Sequence, residues 1–510
     1  MDPLEIDGDS LTLEEVEDVS LRKREVRLSA KAIDGILSSQ KLMEDLANGE
    51  QPVYGVTTGF GSLHNVSISK EDRLTLQRNL IRSHSCGLGE PFPEEDVRAI
   101  ILLRANALAK GYSGIRLDTV KTLLAFLSKD ICPVVPQQGS VGASGDLAPL
   151  AHVALALIGE GKVFFEGELM NSQEALRKAS IKPIVLQPKE GLALINGTQV
   201  MTGVGLLTLL RAERLCKTAD IAGAMTFEAL KGNKTAYDRR IHEIRPHLGQ
   251  KESAENLLRL LKQKNNLLSD KARNVRVQDP YCLRCIPQVH GAVRDVIRFV
   301  RSVLEIEINS ATDNPLVFSS EKEVLSGGNF HGEPVAFAMD FLGISTSEIS
   351  NISERRIARL LDPLLSGLPA GLSENPGLNS GLTMLQIVAA SLVSENKVLC
   401  SPASVDSIPT AANQEDHVSM GVTAARKARI ILQNAEKVIA MELICGAQGI
   451  DFLGPIDLGL GTRKAYELIR SLIPKVKEDR SLQDDVNRML QLIVQDEFLK
   501  FVQDAAGKLN

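Results

Sequence analysis

The chain has 510 residues, 44% hydrophobic and 24% charged, the balance of a globular protein with material for a large core. Its 58 basic and 64 acidic side chains leave a net charge of −6, which argues against a general binder of nucleic acid or of membrane surfaces. Seven scattered cysteines, an odd number, do not make a disulfide framework.

In chain order, the first segment is acidic: Asp2, Glu5, Asp7, Asp9, Glu14, Glu15, Glu17 and Asp18 all precede Arg22. A signal or transit peptide needs early positive charge, and no apolar run is long enough to span a bilayer, so the cytoplasm is the expected compartment. Residues 96–129 carry apolar side chains at helical spacing, interrupted by a glycine-rich break at 111–114. Residues 163–168, followed by Leu169, read as a hairpin. Residues 198–230 contain no proline, and as one helix they would run roughly 50 Å. Val200, Met201, Val204, Leu206, Leu207, Leu209, Leu210, Ile221, Met225 and Phe227 wrap most of the way round it, which predicts a place at the centre of a bundle. Further helices are predicted over 286–311, 331–361, 416–446 and 481–506, with a second hairpin pairing 315–318 and 323–325.

The expected fold is mainly α: an elongated bundle of long helices with few short strands. It divides softly into a loop-rich N-terminal part, 1–197, and a long-helix part, 198–510. Apolar stripes on such helices are usually buried against other subunits, so a symmetric oligomer is expected.

Common cofactor motifs are absent. There is no GxxxxGK[ST], no HExxH, no EF-hand loop and no GxGxxG between a strand and a helix. Cys282 and Cys285 form a lone CxxC without a second pair or histidines at zinc spacing, and read as two free thiols. No metal site is expected, and catalytic chemistry would have to come from side chains or from something the chain makes of itself.

The informative segment is 139–149 (GSVGASGDLAP). Read on composition, it is a turn into a helix, with Asp146 as N-cap and Pro149 in the first turn. A second reading is chemical. In a strained turn the Gly145 nitrogen attacks the Ala143 carbonyl and closes a five-membered ring. Glycine reaches that compressed geometry without a Cβ clash. Loss of water, and of the Ser144 hydroxyl, leaves a conjugated methylidene carbon, which is a strong electrophile.

In this setting Ala143-Ser144-Gly145 resembles the self-forming 4-methylidene-imidazol-5-one (MIO) group of the aromatic amino acid ammonia-lyase family. Seven further blocks match that family in order: 54–61 (YGVTTGFG), 79–84 (NLIRSH), 193–198 (ALINGT), 278–285 (QDPYCLRC), 309–315 (NSATDNP), 328–332 (GNFHG) and 413–421 (NQEDHVSMG). The resemblance covers essentially the whole chain. It implies the fumarase/aspartase-like helical architecture, the MIO group as the only cofactor, and a homotetramer whose active sites draw on three chains.

The resemblance also implies the chemistry. The substrate amine adds to the electrophile, and a base removes the barely acidic β-proton. Tyr54 is the implied base, with Tyr281 supporting the MIO end. A tyrosine acts so only if nearby donors or positive charge lower its phenol pKa. Arg284 would clamp the substrate carboxylate with its rigid fork. Asn196, which on its position alone suits an N-cap, is implied to point at the ring and the amine. Gln278 and Phe330 match pocket positions. Glu415, otherwise a helix N-terminal acid, is implied to assist proton transfer or engage a cationic imidazole. His331 and His417 belong to matched blocks without an assigned role.

Ser83-His84 bears on the substrate. Members acting on phenylalanine tend to have Phe-Leu there and those acting on tyrosine His-Leu, whereas Ser-His is the pattern of members acting on histidine. An imidazole needs polar partners for two nitrogens, which an apolar wall would strand. The expected reaction is L-histidine to trans-urocanate plus ammonia, the first step of histidine breakdown. The alternatives are a tyrosine lyase, an aminomutase, or a non-catalytic helical assembly protein with an unmodified loop.

Overall fold

The computed structural model describes residues 1–49, 51–263, 277–454 and 457–510. It is mostly helical. Strands among the described residues run two to four residues and pair into four small sheets. The predicted hairpins are present: Lys162–Phe165 pairs antiparallel with Glu168–Asn171, and Leu316–Phe318 with Glu323–Leu325. The first turns at Glu166 and Gly167, both with positive φ, so Glu168 opens the second strand instead of closing the first.

The expected long helix is Gln199–Ala229. Its apolar residues Val200, Met201, Leu206, Leu209, Ile221 and Met225 are all fully buried, as an all-round apolar surface requires. Ile286–Glu307 and Glu333–Leu361 also lie where periodicity puts them. The 96–129 segment is two helices, Glu94–Ala109 and Leu117–Ser128, and every residue from Asp96 to Ala109 is buried.

Two expectations need correction. The helix predicted over 416–446 runs Gly421–Asp451. Ala411, Ala412, Asn413 and Met420 have positive φ, which keeps the chain ahead of it irregular. The segment 481–506 is two helices, Gln483–Val494 and Glu497–Ala506, separated at Asp496, whose φ is +62°. Aspartate is one of the few side chains that tolerate that region. The N-terminal part, expected to be rich in loops, also holds the helices Leu13–Arg22, Ala30–Asn48 and Arg73–His84. Thr12 and Glu15 form a capping box on the first, and the Ser29 hydroxyl caps the second.

The chain forms two compact units, each discontinuous in sequence. The first comprises Met1–Leu207, Arg301–Asp340 and Pro402–Arg426. It takes in the whole of 1–197 and adds two later stretches. The second comprises Thr208–Val300, Phe341–Ser401 and Lys427–Asn510. In its core, the fully buried Glu442 accepts from Arg356 at 2.6 and 2.8 Å, from Thr226 at 2.8 Å and from Ser353 at 2.6 Å. Removing one partner of such a pair costs roughly 3–5 kcal/mol, because the other charge stays buried. All seven cysteines are free thiols, and no helix among the described residues is long and apolar enough to cross a membrane.

Candidate active site

The Ala-Ser-Gly segment is a tight turn. Gly142 and Gly145 bridge one another and have φ of +72° and +73°, leaving Ala143 and Ser144 at the tip. A Cβ on Gly145 would fall 2.3 Å from the Gly197 carbonyl oxygen, so the position excludes any other residue. Asp146 follows, fully buried. It sits at the N-cap position of Leu147–Leu157 but makes no side-chain cap bond there. Its carboxylate instead accepts from the Val200 and Met201 amides, both at 2.9 Å, and from the Ser140 hydroxyl at 3.0 Å. Asp146 therefore caps the long helix Gln199–Ala229. Burial pushes its pKa up to about 7, against the pull of those donors.

Asn196 is not the N-cap that its position suggested. It ends the short helix Glu190–Ile195, and its Nδ2 donates to the Asn314 carbonyl at 3.3 Å. Its Oδ1 is buried without a hydrogen-bond partner. The backbone around it is braced by Arg104, a fully buried guanidinium that donates to Asn196 O at 3.1 Å, Gln199 Oε1 at 2.9 Å and Thr312 O at 2.9 Å. Burial lowers its pKa to about 10, although the Asp313 charge opposes the shift. Asp313 pairs with the equally buried Lys189 at 2.8 Å. Sequence reading passed over Arg104. The signal for it is an arginine inside the apolar run Ile100-Ile101-Leu102-Leu103.

Glu415 is not a helix N-terminal acid either, since the helix starts at Gly421. It lies in a loop held by reciprocal backbone bonds with Thr410, whose hydroxyl donates to Glu415 Oε2 at 2.6 Å. The other carboxylate oxygen, Oε1, accepts the Ser144 hydroxyl at 3.0 Å.

These residues meet at one cavity of about 490 Å³ in the first unit. Tyr54, Ala143, Ser144, Asn196, Phe330 and Glu415 all line it, as do His331 and His417. No lysine or arginine is among the lining residues. The Tyr54 hydroxyl oxygen accepts the Gly61 N–H at 3.0 Å. Burial raises the Tyr54 phenol pKa, the Gly61 bond opposes that, and the Glu415 charge adds to it. The condition set for a tyrosine base, a lowered pKa, is thus not met within one chain.

Ser83 and His84 end the helix Arg73–His84 and do not line the cavity. His84 is half-buried, and its Nδ1 lies 2.9 Å from the Leu80 carbonyl. A carbonyl only accepts, so Nδ1 carries the proton and Nε2 is the acceptor. Burial lowers the His84 pKa, with the Leu80 bond and the Glu415 charge opposing. Gln278, Tyr281 and Arg284 lie in the second unit. Gln278 is exposed, Tyr281 is 70% exposed, and the Arg284 guanidinium stacks over the Tyr281 ring at 4.6 Å.

This geometry agrees with what the chain is similar to. Residues 11–471 match the aromatic amino acid lyase family. The chain belongs to the aromatic amino acid lyase family. A relative named histidine ammonia-lyase, from Alkaliphilus oremlandii, is 54% identical over 505 residues, covering 99% of each chain. Two solved structures share the fold of this lyase. The histidine ammonia-lyase of Trypanosoma cruzi superposes with a TM-score of 0.91 at 42% identity, over 98% of this chain and 95% of that one. A tyrosine aminomutase from Streptomyces globisporus gives 0.94 at 39% identity over the full length of both. Membership makes the protein a carbon–nitrogen lyase of the ammonia-lyase type. The glycine-flanked turn fits the MIO group that members of the family use.

Proposed function

We propose that this lyase removes ammonia from L-histidine to give trans-urocanate. The observation that carries the reading is the turn at Ala143–Gly145 opening on one cavity with Tyr54, Asn196 and Glu415. The full-length similarity to proteins named histidine ammonia-lyase supports the same substrate. Ala143, Ser144 and Gly145 would hold the MIO group, which supplies an electrophilic carbon without any added cofactor.

The chain's own residues do the rest. Tyr54 takes the β-proton; the Gly61 N–H at its oxygen stabilises the phenolate in part, and the rest of the lowering would come from a donor or cation of a neighbouring chain. Asn196 offers its unpartnered Oδ1 to the substrate ammonium. Glu415 holds negative charge at the cavity wall, suited to a cationic imidazole or to proton transfer. Phe330 provides an apolar face for the ring. His84 does not line this cavity, so its Nε2 would accept an imidazole N–H only if the assembled site brings the substrate ring to it.

The substrate carboxylate needs a cation, and the cavity has no lysine or arginine. Arg284 would fill that role, with Tyr281 and Gln278 beside it, from neighbouring chains of a homotetramer. The exposure of Tyr281, and of Met384, Ile387, Val388 and Val398 on the helix Thr383–Leu399, supports such an assembly.

Purified protein with L-histidine, L-tyrosine or L-phenylalanine tests the substrate. Conjugated product and equimolar ammonia are expected from histidine alone. Ser144→Ala should abolish turnover, and its tryptic peptide should lack the loss of two waters expected of the wild-type peptide. The similarity to a tyrosine aminomutase gives the second reading. Accumulation of a β-amino acid in place of urocanate would establish it and reject the lyase assignment.

A further inference from the structure

We propose that His331, Glu333 and His417 form a binding site for a divalent transition-metal ion. This is independent of the reaction assigned above. Among the described residues, they are the one group of three ligating side chains whose donor atoms all lie within 4.8 Å of one another. All three belong to the first unit, and both histidines line the cavity.

The positions have bland explanations taken singly. Glu333 opens the helix Glu333–Leu361, where a carboxylate favours the dipole. Histidines at a cavity wall are commonly satisfied by nearby backbone. Together the facts fit less well. Glu333 Oε2 is buried and has no hydrogen-bond partner, a costly state for a carboxylate oxygen. The two imidazoles are stacked, with centroids 5.7 Å apart and planes 10° from parallel, so neither ring satisfies the other.

The bonds that His331 does make are weak. Its Nε2 faces the His417 carbonyl at 3.3 Å, and its Nδ1 receives the Glu333 N–H at 3.4 Å. The first lies beyond the usual N–H···O range and the second is a long N–H···N contact, so a metal bond at either nitrogen displaces one of them at little cost. Bonds of 2.0–2.1 Å to a tetrahedral ion put donors roughly 3.3 Å apart, so ordinary side-chain rotations close the cluster. Two neutral imidazoles and one carboxylate are the donors chosen by Zn²⁺, Co²⁺ or Fe²⁺. Calcium and magnesium, which prefer oxygen, are disfavoured. Three protein ligands leave a fourth position open to the cavity. An ion there would also bind Glu333 Oε2, the oxygen that is now unpaired.

The test uses chelator-treated, full-length protein in histidine-free buffer, titrated calorimetrically with zinc chloride. Saturable binding of one Zn²⁺ per chain is expected. Co²⁺ in its place should give the visible absorption of a four-coordinate site. His331→Ala, His417→Ala and the near-isosteric Glu333→Gln should each weaken binding at least tenfold, with circular dichroism confirming the fold. The rise in melting temperature with zinc should disappear with the binding. Cys282→Ser should bind as wild type does, which separates this site from the CxxC thiols. Absence of saturable binding, binding unchanged in Glu333→Gln and His417→Ala, or loss in Cys282→Ser alone would each overturn the proposal.

Discussion

Tyr54 combines a half-buried phenol, an N–H donor from Gly61 and the negative charge of Glu415. Burial and Glu415 raise its pKa, so the phenolate is the minor form at neutral pH. Below that pKa, each pH unit upward increases the phenolate about tenfold. If Tyr54 is the base, kcat/KM climbs with pH from neutrality into the alkaline range. Tyr54→Phe should lose that limb and drop by roughly 10²–10⁴. A profile shared by Tyr54→Phe and wild type would remove Tyr54 from the proton transfer. At this scale the sequence named candidate residues, and the structure changes the surroundings read for two of them. Glu415 and Asn196 both lie near helices, and proximity to a helix made each look like a terminal residue. The structure puts Glu415 in a loop paired with Thr410, and Asn196 at the end of the preceding helix.

Elements behave differently, because their causes are more local. Periodic apolar spacing without proline was enough to locate Gln199–Ala229, Ile286–Glu307 and Glu333–Leu361. The Ala-Ser-Gly turn depends on both backbone angle and space. Gly145 has φ of +73° and no room for a Cβ, whereas Gly167 has φ of +79° with nothing within 4 Å. Gly145→Ala should therefore leave Ser144 unprocessed, with no loss of water by mass and no activity. Gly167→Ala bears only the backbone strain, about 1–2 kcal/mol, and should be processed normally. Equal processing of both variants would show that space around Gly145 does not matter. What sequence missed among the elements was where helices stop and start. Of the left-handed residues before Gly421, Ala411, Ala412 and Met420 carry no signal of a break, and Asn413 and Asp496 are of types that also occur inside helices.

The whole molecule raises the question of what completes the site. The cavity supplies a carboxylate, a tyrosine and an amide but no lysine or arginine, while Arg284 stands over an exposed Tyr281 in the other unit. If sites are shared between chains, two inactive variants can complement. Ser144→Ala and Tyr281→Phe, co-expressed, should assemble into mixed oligomers that regain a fraction of wild-type turnover. Each alone should be impaired. No recovery from verified mixed oligomers would mean that one chain furnishes both residues.

By itself, the sequence determined the helical class, the long central helix, both hairpins and the family, because spacing and motif blocks are short-range properties of a chain. Tertiary structure alone decided which groups act together. Ser144 and Glu415 are 271 residues apart, and Asp146 caps a helix that starts more than 50 residues on. Arg104 reaches a carbonyl 208 positions away. Such contacts follow from burial, which forces each polar group to find whatever partner the packed chain brings near. No local pattern encodes which partner that is.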